Sequence, residues 1–333
     1  MVGLSHYGEE QMKYIIIFGA CGNVGKYMVD YFLDRLNGEY ELIGTDIIHD
    51  EYIERKVPII QLNINDRESF KKLPMENVHA VIDLVGPMPA RMSGYHPEQY
   101  VNTNVLGSFN VFQYAVECHA DRILYAKSFS DIIRKAQTDI LLKTDTQPDY
   151  SYDSHHSVYT VTQIAATELL KCFHAYYHIK AFIFRLPNIY FWSRNDTYNV
   201  NGKLHKIMFR ELIDQATEGK TIEVWGDPTR LKDMTYVKDV CQIFYKACFT
   251  DRDYGFYNVG TGIGITLLDQ IKGIVEVFGE NDVSEIVMRP DKQNAPQYIM
   301  DITEAREELG YEPKFSYIEM LKDMKREREL GRY

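Results

Sequence analysis

Apolar and polar positions along this chain fall into two rhythms. Through the first half, short apolar runs alternate with longer stretches of helical, one-sided periodicity. The runs predict strands at 14–18, 41–45, 58–62, 78–85, 122–126 and 180–186, and the amphipathic stretches predict helices at 23–36, 66–73, 98–118 and 157–178. Strand-helix alternation of this kind gives a parallel sheet covered on both faces, an α/β doubly wound fold with its ligand crevice at the carboxyl ends of the strands. Past Asn188 the rhythm breaks. Residues 191–235 are polar and irregular, with one helix expected near 203–218 and a short strand from Thr221 to Val224. A helix at 237–249 and a strand at Tyr257–Val259 are expected to rejoin the first unit, and 264–330 reads as helix, strand and charged helix. The division expected is a dinucleotide-binding unit over 12–190, with 236–262 rejoining it, and a smaller mixed α/β substrate lobe from 191–235 and 263–330.

The first strand ends in Gly19-Ala-Cys21-Gly22-Asn23-Val24-Gly25, three glycines at three-residue spacing ahead of a helix. Glycine permits a tight turn and close backbone approach, and the helix start offers free amides and a positive dipole end, so the segment is suited to a pyrophosphate. The second strand ends in Asp46, about 20 residues further on, where a dinucleotide's ribose hydroxyls lie. A carboxylate there repels the extra phosphate of NADP, so NAD is the expected cofactor; an ordinary turn aspartate is the alternative.

Composition narrows the picture. The 333 residues carry a net charge of −11, which leaves no broad basic field for nucleic acid or a membrane surface. Five cysteines without C-x-x-C spacing read as reduced thiols of a cytoplasmic protein, with no metal site expected. No apolar run is long enough to span a bilayer, and residues 1–11 read as a loose tail.

Three further segments carry candidate chemistry: Arg122-Ile-Leu-Tyr-Ala-Lys-Ser128, Tyr159-Thr-Val-Thr-Gln163 and Phe184-Arg-Leu-Pro-Asn-Ile-Tyr190. With the glycine loop, Asn63-Ile64, Asp83-Leu84-Val85-Gly86, Asn104-Val-Leu-Gly-Ser108, Lys232-Asp-Met-Thr-Tyr-Val-Lys-Asp239, Tyr257-Asn-Val-Gly260 and Asp301–Gly310, they form a set. From about residue 13 to 330 the chain resembles the extended short-chain dehydrogenase/reductases, in particular the NAD-dependent nucleotide-sugar epimerases and dehydratases. The resemblance implies that Gly19, Cys21, Gly22, Asn23, Val24, Gly25, Asp46, Asn63, Ile64, Leu84, Val85, Gly86, Asn104 and Leu186 surround NAD, together with Tyr159 and Gln163. It implies that Ser128 hydrogen-bonds the sugar hydroxyl being oxidised while Tyr159 takes its proton. On the substrate side it points to Pro87, Ser128, Asn188, Trp225, Arg230, Lys232 and Arg289, the cations gripping a nucleoside diphosphate and Trp225 either stacking on the base or packing between lobes. Lys232 fills a slot usually held by arginine, with Arg230 near enough in sequence to compensate.

One position departs from the family pattern. Residue 163 is glutamine where these enzymes carry the lysine that lowers the tyrosine's pKa and holds the nicotinamide ribose. Three outcomes stay open: a slow or alkaline-shifted enzyme, a substitute cation from Lys127, His155 or His156, or a protein that binds without efficient turnover. Phe129 and Ser130 stand where 4,6-dehydratases carry an acidic pair, which disfavours that reaction, and the loop lacks the cysteine of the 3,5-epimerase/reductases. Val105, Phe109 and Phe112, with Ile164, Leu169 and Phe173, form apolar stripes on two helices. By the resemblance, such a pair of helices from each of two subunits builds a four-helix homodimer interface. Residues 87–97 are where the family admits the sugar, and 131–157 form a long connection, either a lid or a surface excursion.

Overall fold

A computed structural model describes residues 11–89, 92, 94–137, 141–200, 203–279 and 284–333. The expected tail at 1–11 therefore lies outside the described residues except for its last position, as do three positions of the 87–97 loop.

Seven strands form one all-parallel sheet: β1 (Lys13–Phe18), β2 (Tyr40–Asp46), β3 (Ile59–Gln61), β4 (Val78–Asp83), β5 (Arg122–Ser128), β7 (Lys180–Leu186) and β14 (Tyr254–Asn258), in the order β14-β7-β5-β4-β1-β2-β3. The order reverses between β1 and β4, which opens a crevice beyond their carboxyl ends. Strand alternation divides the core. Ile15 and Ile17 join one cluster with α1 (Asn23–Leu33) and α7 (Val237–Cys248), while Ile16 and Phe18 join another beneath α4 (Ser108–Glu117) and α5 (Ser157–Tyr177).

The remaining elements include the short helices α2 (Glu51–Glu54) and α3 (Pro97–Tyr100) and the two-residue strands β6 (Leu141–Leu142) and β8 (Ile189–Tyr190). After β8 come β9 (Thr197–Val200), β10 (Lys203–Lys206), α6 (Met208–Thr217), β11 (Ile222–Trp225), β12 (Leu231–Asp233) and β13 (Thr235–Tyr236). Following β14 are β15 (Gly264–Thr266), α8 (Leu267–Phe278), β16 (Ile286–Arg289), β17 (Ile299–Met300), α9 (Thr303–Leu309) and α10 (Tyr317–Glu329).

Four elements differ from the periodicity. The helix expected at 98–118 is three pieces, because Val101–Gly107 winds as a π-helix between α3 and α4. Residues 67–72 form a 3₁₀ helix, tightened by Asp66, whose side chain caps Glu68 N–H. The helix expected at 203–218 begins only at Met208; 203–206 pairs antiparallel with 197–200, and Lys206 pairs with both Asp196 and Asp214. The strand expected over 78–85 stops at Asp83, releasing Leu84–Gly86 into the crevice.

Candidate active site

The glycine loop is held by contacts that leave no room for side chains. Gly19 has φ +84°, in the left-handed region that favours glycine. A Cβ on Gly25 would stand 2.1 Å from the carbonyl oxygen of Gly19 and 2.8 Å from the backbone of Ala20. The start of α1 therefore packs directly on the turn. Gly22 caps that helix in extended conformation and no side chain caps it, so its first amides face the crevice for an anionic ligand.

Asp46 braces the same loop. Its Oδ2 accepts from the Cys21 N–H at 2.9 Å, and its Oδ1 accepts from Ile47 and Ile48 N–H at 2.8 and 3.2 Å. Cys21 contributes through this amide; burial, reinforced by Asp46, pushes its thiol up to about 12, so it stays neutral. Asn23 turns its Oδ1 to the Ser193 hydroxyl at 3.2 Å, and Val24 packs on the core.

Beyond the loop lies a cleft of about 480 Å³. Its walls include Gly19, Gly22, Asp46, Asn63, Ile64, Leu84, Val85, Gly86 and Pro87, all expected from the sequence. They also include Gln99, Asn102 and Thr103, which the sequence reading missed. The π-helical turn supplies Asn102, Thr103 and Asn104, an arrangement frequent at functional sites.

The opposite end of the site gathers Ser128, Tyr159, Gln163, Asn104 and Gly86. Ser128 ends β5, and its Oγ accepts from Ser130 N–H at 3.2 Å. The Tyr159 phenol is within hydrogen-bond reach of the Ser128 hydroxyl and its ring meets Tyr100 edge-on, centroids 5.6 Å apart. Burial raises the pKa of Tyr159, and the Ser128 contact alone pulls it down. Gln163 is buried, one turn along α5; its Oε1 accepts from Ser128 N–H at 3.1 Å and from the Tyr125 phenol at 3.5 Å. Its Nε2 faces Gly86, where an added Cβ would lie 3.7 Å from it and 3.3 Å from Asn104 Oδ1. Asn104 Nδ2 donates to Thr162 Oγ1 at 3.0 Å, while its Oδ1 is buried without a donor. Leu186 is buried in the sheet core beside β5.

The substitute cations suggested by the sequence do not reach Tyr159. The Lys127 side chain is buried; its Nζ pairs with Asp131 at 2.7 Å and donates to the Ser128 carbonyl at 3.1 Å. Arg185 completes a buried triad, 3.1 Å from the same Asp131 oxygen. Burial brings the Lys127 ammonium down to about 8. His155 is exposed against the Tyr95 ring, and burial lowers the pKa of His156; neither acts on Tyr159.

Of the residues expected to hold substrate, Pro87 lines the dinucleotide cleft, whereas Asn188, Trp225, Arg230, Lys232 and Arg289 stand outside it. Asn188 is exposed just past β7. The Lys232 ammonium lies 5.7 Å from the Tyr190 ring centroid, and Arg230 Nε donates to the Ala295 carbonyl. Trp225 and Arg289 are register partners on β11 and β16. Arg289 is paired twice, with Glu223 at 2.5 Å and with Asp291 at 3.0 Å, so a phosphate must compete with two carboxylates. Trp225 is half exposed, its Nε1 donating to Glu223 at 2.8 Å. Among the described residues, no cluster of three or more His, Cys, Asp or Glu could hold a metal.

A reversal point in a parallel sheet and a glycine cradle, with a tyrosine-serine pair at the far end of the site, define a dinucleotide-binding fold. The donors fit NAD: the Gly25 cradle would be filled by any Cβ, and Asn104 offers an unpaired oxygen at the far end. Residues 15–260 match the family described as NAD dependent epimerase/dehydratase, and the chain belongs to it. A protein of Methanocaldococcus jannaschii named as a putative UDP-glucose 4-epimerase is 24% identical over 320 residues, covering 92% of this chain and 96% of its own. The Thermotoga maritima UDP-glucose 4-epimerase solved with UDP-glucose superposes with a TM-score of 0.74 at 21% identity, covering 95% and 99% of the two chains. UDP-glucuronic acid 4-epimerase from Bacillus cereus, solved with NAD, gives 0.72 at 20% identity over 94% and 99%. dTDP-glucose 4,6-dehydratases also occur among the relatives.

Proposed function

We propose that this protein is an NAD-dependent oxidoreductase or epimerase acting on a nucleotide-activated sugar, with Tyr159 as acid/base and Ser128 orienting the sugar hydroxyl. The observation that carries the reading is the Ser128–Tyr159 contact at the end of β5, next to the Gly86 corner of the cleft. NAD, when bound, supplies the two-electron acceptor. The cofactor contacts fall to the glycine loop, Asp46, Asn63, Ile64, Leu84–Gly86, Asn104 and Leu186. The substrate contacts fall to Pro87, Asn188, Trp225, Arg230, Lys232 and Arg289, which lie on the elements after β7 or at the cleft rim.

Ser130 N–H fixes the Ser128 rotamer, which leaves the Ser128 hydroxyl proton to be donated to the substrate oxygen. Tyr159 must then accept a proton without a neighbouring cation, so the reaction runs faster as pH rises. Elimination of water is disfavoured. Phe129 is buried against Tyr298, and Asp131, the first carboxylate after Ser128, is tied up by Lys127 and Arg185.

A second reading, binding without turnover, is favoured by one observation: the Gln163 carbonyl is spent on Ser128 N–H and Tyr125, and among the described residues no charge stands in for the lysine. The two separate in one experiment. The protein is incubated with NAD and a panel of UDP- and dTDP-sugars between about pH 7 and 10, beside Tyr159→Phe, and products are analysed. A new sugar or reduced coenzyme that Tyr159→Phe does not form supports catalysis. Bound coenzyme with no conversion at any pH supports the binder.

We also infer a homodimer built on α4 and α5. Phe109 and Val161 are exposed there, as is Leu106 on the π-helical turn before α4, whereas Phe112 and Phe173 from the expected stripes are buried in the protein's own core. Phe109→Glu should then convert a dimer to a monomer in light scattering; an unchanged mass contradicts it. Free thiols at Cys21, Cys118, Cys172, Cys241 and Cys248 accord with a cytoplasmic setting.

A further inference from the structure

Ser128 ends β5 beside Leu186 of β7, and the chain leaves it directly into a 3₁₀ turn over Phe129–Gln137. Three hydrogen bonds converge on this one residue. Its N–H donates to Gln163 Oε1 at 3.1 Å, its carbonyl accepts from Lys127 Nζ at 3.1 Å, and its Oγ accepts from Ser130 N–H at 3.2 Å. The first two hold the planar peptide groups on either side of the Ser128 Cα, which fixes both backbone dihedrals. The third fixes the side-chain rotamer.

The Lys127 contact depends on partners far along the chain. The side chain is 2% exposed, and its ammonium bends back onto the next residue's carbonyl because a carboxylate holds it there. Asp131, on the 3₁₀ turn, pairs with Nζ at 2.7 Å, and Arg185 of β7 grips the same carboxylate oxygen at 3.1 Å. Arg185 is itself seated, donating to the Thr144 carbonyl at 3.1 Å and to Asn258 Oδ1 at 3.3 Å, with its guanidinium carbon 4.7 Å from the Phe256 ring centroid. A buried post therefore runs from β14 and β7 through Asp131 to the Ser128 carbonyl. Two cations share one carboxylate whose Oδ1 has no partner among the described residues, so the interior carries a surplus charge. An apolar side chain at 127 would avoid that desolvation, and a buried ion group is a poor source of stability. What the lysine supplies that an apolar residue cannot is a donor on the reactive serine.

We propose that Lys127 is a positioning residue for the reaction: held by Asp131 and Arg185, it fixes the Ser128 carbonyl and thereby aims the Ser128 hydroxyl at the substrate oxygen beside Tyr159. The inference rests on the catalytic reading above and goes further by giving the buried cation a part in it. In this role Lys127 touches neither coenzyme nor sugar and acts only through Ser128. The cation nearest the site thus works on the serine and not on the phenol.

The test is a double-mutant cycle of Lys127→Met, Ser128→Ala and the pair, assayed on whichever UDP- or dTDP-sugar the wild type converts fastest, with NAD binding measured by calorimetry. Lys127→Met should lower kcat by about 10- to 100-fold, the cost of displacing a reacting group by about 1 Å, while the sugar KM and the NAD dissociation constant stay within about twofold. In the Ser128→Ala background the same substitution should change kcat by less than about twofold, because the residue it acts through has lost its hydroxyl. Equal losses of kcat in the two backgrounds, an unchanged kcat in Lys127→Met, or a loss carried by KM or by NAD affinity overturns the positioning role. A wild type that binds NAD but converts none of the sugars overturns the catalytic reading beneath it, and the positioning role falls with it. Should Lys127→Met not fold, Lys127→Gln, neutral and shorter, replaces it in the cycle and is judged by the same results.

Discussion

Substituting Gly25 by alanine tests the cradle with a single methyl group. Two effects oppose each other. Alanine in place of glycine in the first turn of α1 is worth roughly 0.5–1 kcal/mol in helix propensity. Against it, the new Cβ meets the Gly19 oxygen at 2.1 Å and the Ala20 backbone at 2.8 Å. Those are backbone atoms of a turn already pinned by Thr45 and Asp46, so neither can swing aside as a side chain would. Relief needs a displacement of about 1 Å, and overpacking of this sort costs about 1–3 kcal/mol. The clash wins, and it tilts the helix start away from the turn. Misaligned amides should weaken ADP-ribose binding by about 30-fold, equivalent to ~2 kcal/mol. Calorimetry with ADP-ribose measures it, with Gly38→Ala as control, since a Cβ there meets nothing within 4 Å. Gly25→Ala binding within about twofold of wild type would refute the reasoning.

Other outcomes follow from the buried charges. A carboxyl held near 6, as Asp83 is, costs the folded state about 3 kcal/mol relative to its usual ionisation once pH is above that value. Because its folded pKa is raised, its favourable share is present below about pH 4 and lost between about 4 and 6. Asp83→Asn should accordingly raise stability to urea at pH 8 and change it little at pH 4; equal effects at both contradict this. Lys127→Met leaves Asp131 with Arg185 alone and should destabilise by about 2–4 kcal/mol in the same assay, whereas a change under about 0.5 kcal/mol would mean that the triad is not a unit.

The parts of this protein most legible from sequence are those in which one residue type alone meets a local demand. Gly19 and Gly25 belong there, and so do the alternating strands whose two faces feed two cores. Asp46 was legible as a carboxylate at the right place, though its task of bracing the Cys21 amide was not. What sequence could not give was decided by partners far along the chain. Lys127 reads as a spare cation until Asp131 and Arg185 close around it, the latter from another strand. Arg289 reads as a free phosphate ligand until Glu223, 66 positions away, appears on the adjoining strand. The π-helical turn at 101–107 has no periodic signature, because its extra residue per turn is fixed by packing against α5. The antiparallel pairing of 197–200 with 203–206 has no clear signature either, since residues 203–206 also fit the start of a helix.

The most direct measurement is the pH dependence of sugar conversion in wild type and Gln163→Lys. A lysine at 163 sits one helical turn from Tyr159, where a charge pair about 6 Å apart at an effective dielectric constant of ~20 is worth roughly 2–3 kcal/mol. The account predicts a wild-type rate that is still climbing at the alkaline end of the range, because burial raises the Tyr159 phenol, and a Gln163→Lys profile moved about one to two pH units toward neutrality, with a gain of at least ~10-fold at pH 7. A wild-type rate flat from pH 7 to 10, or a Gln163→Lys variant that binds NAD normally and gains nothing, would contradict a phenol working as the proton acceptor.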